Sequence, residues 1–134
     1  MRLYTFTNPY LSSISHGIQT AHVVAELFAK THLYQTQLEL YNWARHHKTI
    51  IVLNGGINQQ LRELWDMMEL CDHSYPYAKF NEDDASLGGV LTCVGIVLPA
   101  SIYSPNPEVP ISLDDFSNFD LWLIDNLSKF NTAR

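Results

Sequence analysis

The stretch from Ser12 to Phe28, SSISHGIQTAHVVAELF, restricts the fold more than any other part of the chain. It reads as a helix opening at a serine-rich turn, where Ser12, Ser13 or Ser15 can cap it. Ile14, Gly17, Ile18, Ala21, Val23, Val24, Ala25, Leu27 and Phe28 make it small or apolar on nearly every side. Such a helix belongs inside a core, so other layers must cover it. Its polar residues then need partners. Gln19 and His22, spaced i, i+3, point the same way along the helix, and Glu26 extends their strip. They either tie the helix into a network or face a pocket.

With 134 residues the chain is long enough to bury a core without disulfides or metals, and a single domain is expected. Eight Lys and Arg against fourteen Asp and Glu give a net charge of -6. That balance opposes nucleic-acid polymers and anionic membranes, which are gripped mainly by Lys and Arg. Cys71 and Cys93 have no metal or redox spacing and read as buried free thiols. The start MRLYTFTNPY has no signal-peptide pattern, and the apolar run Gly88 to Ala100 is too short to span a bilayer. A soluble, cytoplasmic protein without cofactor or metal is the resulting expectation.

The elements alternate. Arg2 to Thr7 sets Leu3 and Thr5 against Tyr4 and Phe6, a strand pattern that Asn8-Pro9 ends. A second helix runs from Leu33 to Arg45, with Trp43 a core or lid anchor. Lys48 to Asn54 reads as a strand buried on both faces. Gly55-Gly56 breaks it, and Asn58 caps a helix from Gln59 to Leu70 whose Leu61, Leu64, Trp65 and Met68 form the apolar face. Strands follow at Tyr75 to Phe80 and Gly88 to Leu98, with the polar loop Asn81 to Leu87 between them. Residues 100–116 make a Pro-rich connection. Ser117, with Asp120 three residues on, caps a last helix over 117–130 with Phe119, Trp122, Leu123, Leu127 and Phe130 on its apolar face. The order β-α-α-β-α-β-β-α predicts an α/β three-layer sandwich, a mixed four-stranded sheet flanked by helices on both faces. The last two strands should be antiparallel or near neighbours, and right-handed crossovers bring the loop after the first strand close to Glu82.

The order and spacing of these pieces resemble the type II peptidyl-tRNA hydrolase superfamily. Gly17-Ile18-Gln19-Thr20-Ala21-His22-Val23 is similar to that family's A-A-Q-x-A-H-A helix. Trp43 followed by Lys48 to Leu53 looks like its Trp and K-x-V-L strand. Gly89 to Ile96 and Pro99 resemble its closing G-T-x-T strand, with Thr92 matching the second Thr. The likeness covers residues 1–99 and implies that fold, with the C-terminal helix as an addition. It places a site at the N-terminus of the Ser12 to Phe28 helix. Three positions depart from the pattern: Ser15 stands where the family has Lys, Phe80 where it has Asp, and Val90 where it has the first Thr.

The candidate ligand-binding set is therefore Asn8, Ser13, Ser15, His16, Gln19, His22, Glu82, Asp83, Asp84 and Thr92. Ser15 and His16 in the first turn suit a phosphate, against the plainer reading that Ser15 caps and His16 is exposed. Glu82, Asp83 and Asp84 suit ribose hydroxyls, a general base or Mg²⁺, against an ordinary solvated loop. His46, His47 and His73 lack zinc-ligand spacing and read as surface residues. The leading expectation is capture of a small nucleotide-like metabolite, as a phage-type anti-defence binder would sequester a signalling nucleotide. The alternative is a divergent hydrolase of peptidyl-tRNA or a small ester or phosphodiester, with His22, Asp83 and Asp84 as its catalytic groups. A third reading is an interaction subunit, and a homodimer is expected because the apolar C-terminal helix needs a surface to cover.

Overall fold

A computed structural model describes residues 1–82, 89–105 and 115–133. The elements are β1 (Arg2–Thr7), α1 (Ser13–Lys30), α2 (Tyr34–Asn42), β2 (Ile50–Asn54), α3 (Asn58–Leu70), β3 (Tyr77–Asn81), β4 (Leu91–Leu98), α4 (Ala100–Tyr103) and α5 (Asn118–Asn126). A π-helical turn (Trp43–His47) continues α2, and a 3₁₀ turn (Leu127–Lys129) continues α5. The four strands form one mixed sheet in the order β2-β1-β4-β3. β1 runs parallel to β2 and antiparallel to β4, and β3 pairs antiparallel with β4. No helix among the described residues is long and apolar enough to cross a membrane.

Alternation along the strands sorts the core into two layers, because successive side chains leave opposite faces. Leu3, Ala78, Cys93 and Val97 pack with Val23 and Leu27 of α1, Leu40 of α2 and Trp43. Tyr4, Phe6, Val94, Ile96 and Leu98 pack with Leu61, Leu64 and Met68 of α3 and with Phe119 and Leu123 of α5. Helices thus cover both faces, and β4 is buried along its whole length. Burying each large aliphatic side chain stabilises by about 1.5–3 kcal/mol. Gly95 in β4 lets α1 approach: a Cβ there would lie 2.6 Å from Val23 Cγ1. Gly56 ends β2 with φ +87°, a left-handed backbone that favours glycine, and its N–H donates to Asn54 Oδ1 at 2.9 Å.

Local signals set the helix ends. Ser12 caps α1, its hydroxyl accepting from Ser15 N–H. Ser117 and Asp120 form both bonds of a capping box on α5. Ile57, not Asn58, is the N-cap of α3; Asn58 is the first helical residue, and its Oδ1 accepts from Arg62 Nε. The second helix ends at Asn42 and passes into the π turn, which Lys48 closes in a left-handed conformation with its N–H on Trp43 O.

Three expectations are corrected. The strand at Lys48 to Asn54 is not buried on both faces: β2 lies at the sheet edge, only Leu53 is buried, and Ile50 is 41% exposed. The apolar helix α1 is covered on one side only, through His16, Gln19, Thr20, Val23 and Leu27, while Ile14, Ile18 and Phe28 face outward. The C-terminal helix needs no second copy to cover it, since Phe119, Leu123 and Leu127 are buried in this chain's own core and Phe130 packs edge-on against Phe6.

Candidate functional site

β1, β2 and β3 point the same way, so Thr7, Asn54 and Asn81 end at one rim of the sheet, beside the first residues of β4. The N-terminus of α1 follows β1 directly at this rim. In α/β sheets, ligands bind outside such carboxyl ends.

Gln19 is the buried hinge of the rim, 7% exposed. Its Oε1 accepts from the Thr92 hydroxyl at 2.9 Å, and its Nε2 donates to Glu82 Oε2 at 3.2 Å. A carboxylate only accepts, so the amide NH₂ must face Glu82 and the carbonyl must face Thr92. Glu82 is also held through its backbone, whose N–H donates to Val90 O at 2.9 Å. Gln19 is therefore a structural tie that fixes the Glu82 carboxylate. Among the described residues, Glu82 Oε1 has no partner.

His22, one turn further along α1, is exposed rather than buried with Gln19. Its ring lies flat on Phe80 of β3, with centroids 4.1 Å apart and planes 9° apart. No hydrogen bond among the described residues orients either of its nitrogens, in contrast to the base–orienter pairs of acid–base sites. The strip that Gln19 and His22 share along the helix thus splits into a buried tie and an exposed aromatic platform, both toward β3.

The remaining candidates separate. His16 is not an exposed first-turn residue: it is 5% exposed, and its Nδ1 lies 2.6 Å from Thr7 Oγ1. Ser15 is occupied with Ser12 through both its N–H and its hydroxyl, and Ser13 is exposed. Asn8 shapes the turn, its Oδ1 accepting from Tyr10 N–H and its own N–H donating to Thr92 O. Asp83 and Asp84 lie outside the described residues. Among the described residues no three His, Cys, Asp or Glu side chains gather as a metal centre. His46 and His47 are exposed, whereas His73 is half-buried among Tyr75, Tyr77 and Phe119.

Two partners went unread in the sequence. Phe80 alternates with Ala78 toward α1, but its stacking on His22 joins residues far apart in the chain. Thr7 carried a weak signal, because with Thr5 it places a second hydroxyl on a buried strand face, and both find partners on α1: Thr20 and His16.

A cavity of about 580 Å³ lies away from this rim, along β3 beside Trp65, His73, Tyr75 and Tyr77. Several of its polar groups have partners within the chain. Tyr75 donates to Asp120, Tyr77 donates to Glu69, and Lys79 sits over the Trp65 ring.

No protein-family model matches this chain, and none of the curated proteins compared with it does.

Proposed function

We propose that the protein binds a small nucleotide-like metabolite at the His22–Phe80 platform. The observation that carries this reading is the exposed imidazole, stacked flat on Phe80, on the same helix as the tie that fixes Glu82. A planar base extends such a stack whatever its sequence identity. The Glu82 carboxylate, acceptor-only, takes base N–H groups or ribose hydroxyls. Gln19, His22, Phe80, Glu82 and Thr92 include no Lys or Arg, so base and sugar recognition outweighs phosphate recognition. A type II peptidyl-tRNA hydrolase-like fold belongs to this reading, supported by the helix that follows β1 and by the mixed four-stranded sheet.

The test is thermal stabilisation by a panel of nucleotides and signalling dinucleotides, with mass spectrometry of every compound afterwards. A stabilising compound recovered intact, whose effect is lost in His22→Ala, supports capture. Cleavage of that compound or of peptidyl-tRNA makes the protein a divergent hydrolase instead. No stabilisation by any compound refutes the reading.

A second reading concerns assembly. The outer stripe of α1 is uncharged and symmetric about Ala21: Gly17 and Ala25 stand four residues to either side, and Ile14 and Phe28 seven. Two antiparallel copies of α1 crossing at Ala21 would set Ile14 against Phe28 and Gly17 against Ala25, the self-complementarity that a two-fold interface requires. Ile14 is 76% exposed, and Phe28 stacks on Tyr41, so the apolar face continues onto α2. A homodimer through this face predicts a dimeric mass in sedimentation and a monomeric one for Ala21→Arg. A monomeric parent protein refutes it.

A further inference from the structure

The two edges of the sheet are finished differently. Along the outer edge of β2, Asn54 N–H donates to Asn131 O at 2.8 Å, Ala133 N–H donates to Val52 O at 2.9 Å, and Thr132 bridges Leu53 in antiparallel fashion. Residues 131–133 thus cover that edge. β3 forms the opposite edge, and among the described residues it pairs with β4 alone. An open edge strand is a template for a further strand.

The ladder decides which groups of β3 face outward. Val97 N–H donates to Pro76 O at 2.9 Å, and the register continues as Tyr77↔Ile96, Ala78↔Gly95 and Lys79↔Val94. Hydrogen-bonded and non-hydrogen-bonded pairs alternate along an antiparallel ladder. Ala78 therefore bonds to β4, and Tyr77 and Lys79 turn their N–H and C=O groups outward. Across the other edge of β4, Asn8 N–H on Thr92 O keeps the same alternation. Among the described residues the outward groups of Tyr77 and Lys79 have no backbone partner.

The cavity of about 580 Å³ runs along these groups, with Tyr77, Ala78 and Lys79 in its wall. The Tyr77 and Lys79 side chains lie on the α3 side, where Tyr77 donates to Glu69 and Lys79 sits over the Trp65 ring. Ala78 lies on the α1 side, where Leu33, 75% exposed, is part of the wall. Lys30, also in the wall, is paired with Glu26 at 2.9 Å, so exposed Lys79 and Glu69 set the charge pattern. A strand laid antiparallel on β3 places successive residues opposite Lys79, Ala78 and Tyr77, and directly opposed side chains share a face. The first meets the Lys79 ammonium, the second falls beside Leu33, and the third meets Glu69 next to the Tyr77 hydroxyl. Opposite charges across a strand pair stabilise it and like charges destabilise it. An acidic, an apolar and a basic residue in that order answer the three positions.

We propose that β3 is a docking edge for an extended segment of a partner protein, which adds antiparallel as a fifth strand and carries an acidic, an apolar and a basic residue in succession. Main-chain bonds to Tyr77 and Lys79 give such a segment its affinity, and the alternate side chains give its specificity. β3 of a second copy would bring Tyr77, Ala78 and Lys79 to these positions, with no acid for Lys79. The edge goes beyond the His22–Phe80 platform and does not depend on it.

The probe is the blocked peptide acetyl-Thr-Glu-Leu-Lys-Thr-amide, titrated into the ¹⁵N-labelled whole chain and followed by NMR. Saturable shifts and slowed hydrogen exchange are expected at the Tyr77 and Lys79 amides. The Glu amide of the bound peptide faces β3 and its Leu amide faces away, so N-methylation at Glu should weaken binding about tenfold and N-methylation at Leu should not. The reversed peptide, acetyl-Thr-Lys-Leu-Glu-Thr-amide, should bind at least threefold more weakly. Lys79→Pro removes only an outward N–H and should abolish the response with the fold intact. His22→Ala should leave it unchanged, which separates this edge from the platform. No response at Tyr77 and Lys79, or equal binding by the two N-methyl isomers or by the reversed peptide, would overturn the proposal. Exchange at these amides that slows with protein concentration alone would assign the edge to a second copy and would also overturn it.

Discussion

Replacing Gly95 by Ala tests how closely α1 must lie on the sheet to hold its functional side chains in place. The added methyl would stand 2.6 Å from Val23 Cγ1, 3.3 Å from Thr5 Cγ2 and 3.4 Å from Leu3 Cδ1. All three neighbours are buried core side chains, so the helix must move outward or Val23 must leave its rotamer. Overpacking of this kind costs about 1–3 kcal/mol. Reduced entropy of the unfolded chain returns about 0.4–1 kcal/mol, leaving a net loss of about 1–2 kcal/mol. Unfolding entropy is roughly 2.1 cal/mol/K per residue, or about 0.28 kcal/mol/K for 134 residues. Tm should therefore fall by about 4–7 °C. Val23→Ala alone removes two methyl groups and costs about 2 kcal/mol. In the double variant the methyl introduced by Gly95→Ala occupies the space that Val23 vacated, so the two losses should not add; a favourable coupling of about 1–2 kcal/mol is expected. Denaturant titration of the four proteins measures it. Losses that add to within about 0.5 kcal/mol would refute the close approach of α1 at Gly95.

Other outcomes follow from single groups. His73 accepts Tyr75 N–H at Nδ1 and donates from Nε2 to Met68 O, and burial holds its pKa below the ordinary 6.5, against a smaller upward pull from Met68 O, Asp120, Asp72 and Glu69. The unfolded chain takes up that proton more readily, so this contribution to stability is present above pH 6.5 and is lost as pH falls through the lower folded value. Denaturant titrations from about pH 7.5 to 5.5 should show the loss, and His73→Gln should flatten it. Gln19→Leu removes the 2.9 Å acceptor of the Thr92 hydroxyl and the donor to the half-buried Glu82 carboxylate and should cost about 1–2 kcal/mol, part of which Thr92→Val restores. Burial pushes the Cys93 thiol up to about 12. A thiol reagent at about pH 8 should therefore label the folded protein once, at half-buried Cys71, and twice only after unfolding.

Much of the scaffold was legible because its signals are local. The alternation of Leu3 and Thr5 against Tyr4 and Phe6 predicts the two faces of β1, and the structure divides them between the two core layers. Ser117 and Asp120 predict a capping box, and both of its bonds form. The Gln19–Glu82 contact lies where crossover geometry brings those segments together. The misreadings are tertiary. A β-branched run such as Ile50 to Leu53 looks the same at a sheet edge as at its centre, and here residues 131–133 supply the cover. His16 reads as exposed when Ser15 is taken as the cap. With the cap at Ser12 the helix starts earlier, and His16 falls on the sheet face with Thr20, Val23 and Leu27. His22 carried no sequence sign of its partner, because stacking on Phe80 depends on the packing of α1 against β3.

The most direct measurement of the central claim is isothermal titration of the stabilising nucleotide into the parent protein, His22→Ala and Glu82→Gln. Intact ligand and an affinity at least tenfold weaker in each variant, about 1.4 kcal/mol or more, are expected. Undiminished affinity in both variants would contradict the claim and place the ligand elsewhere on the molecule.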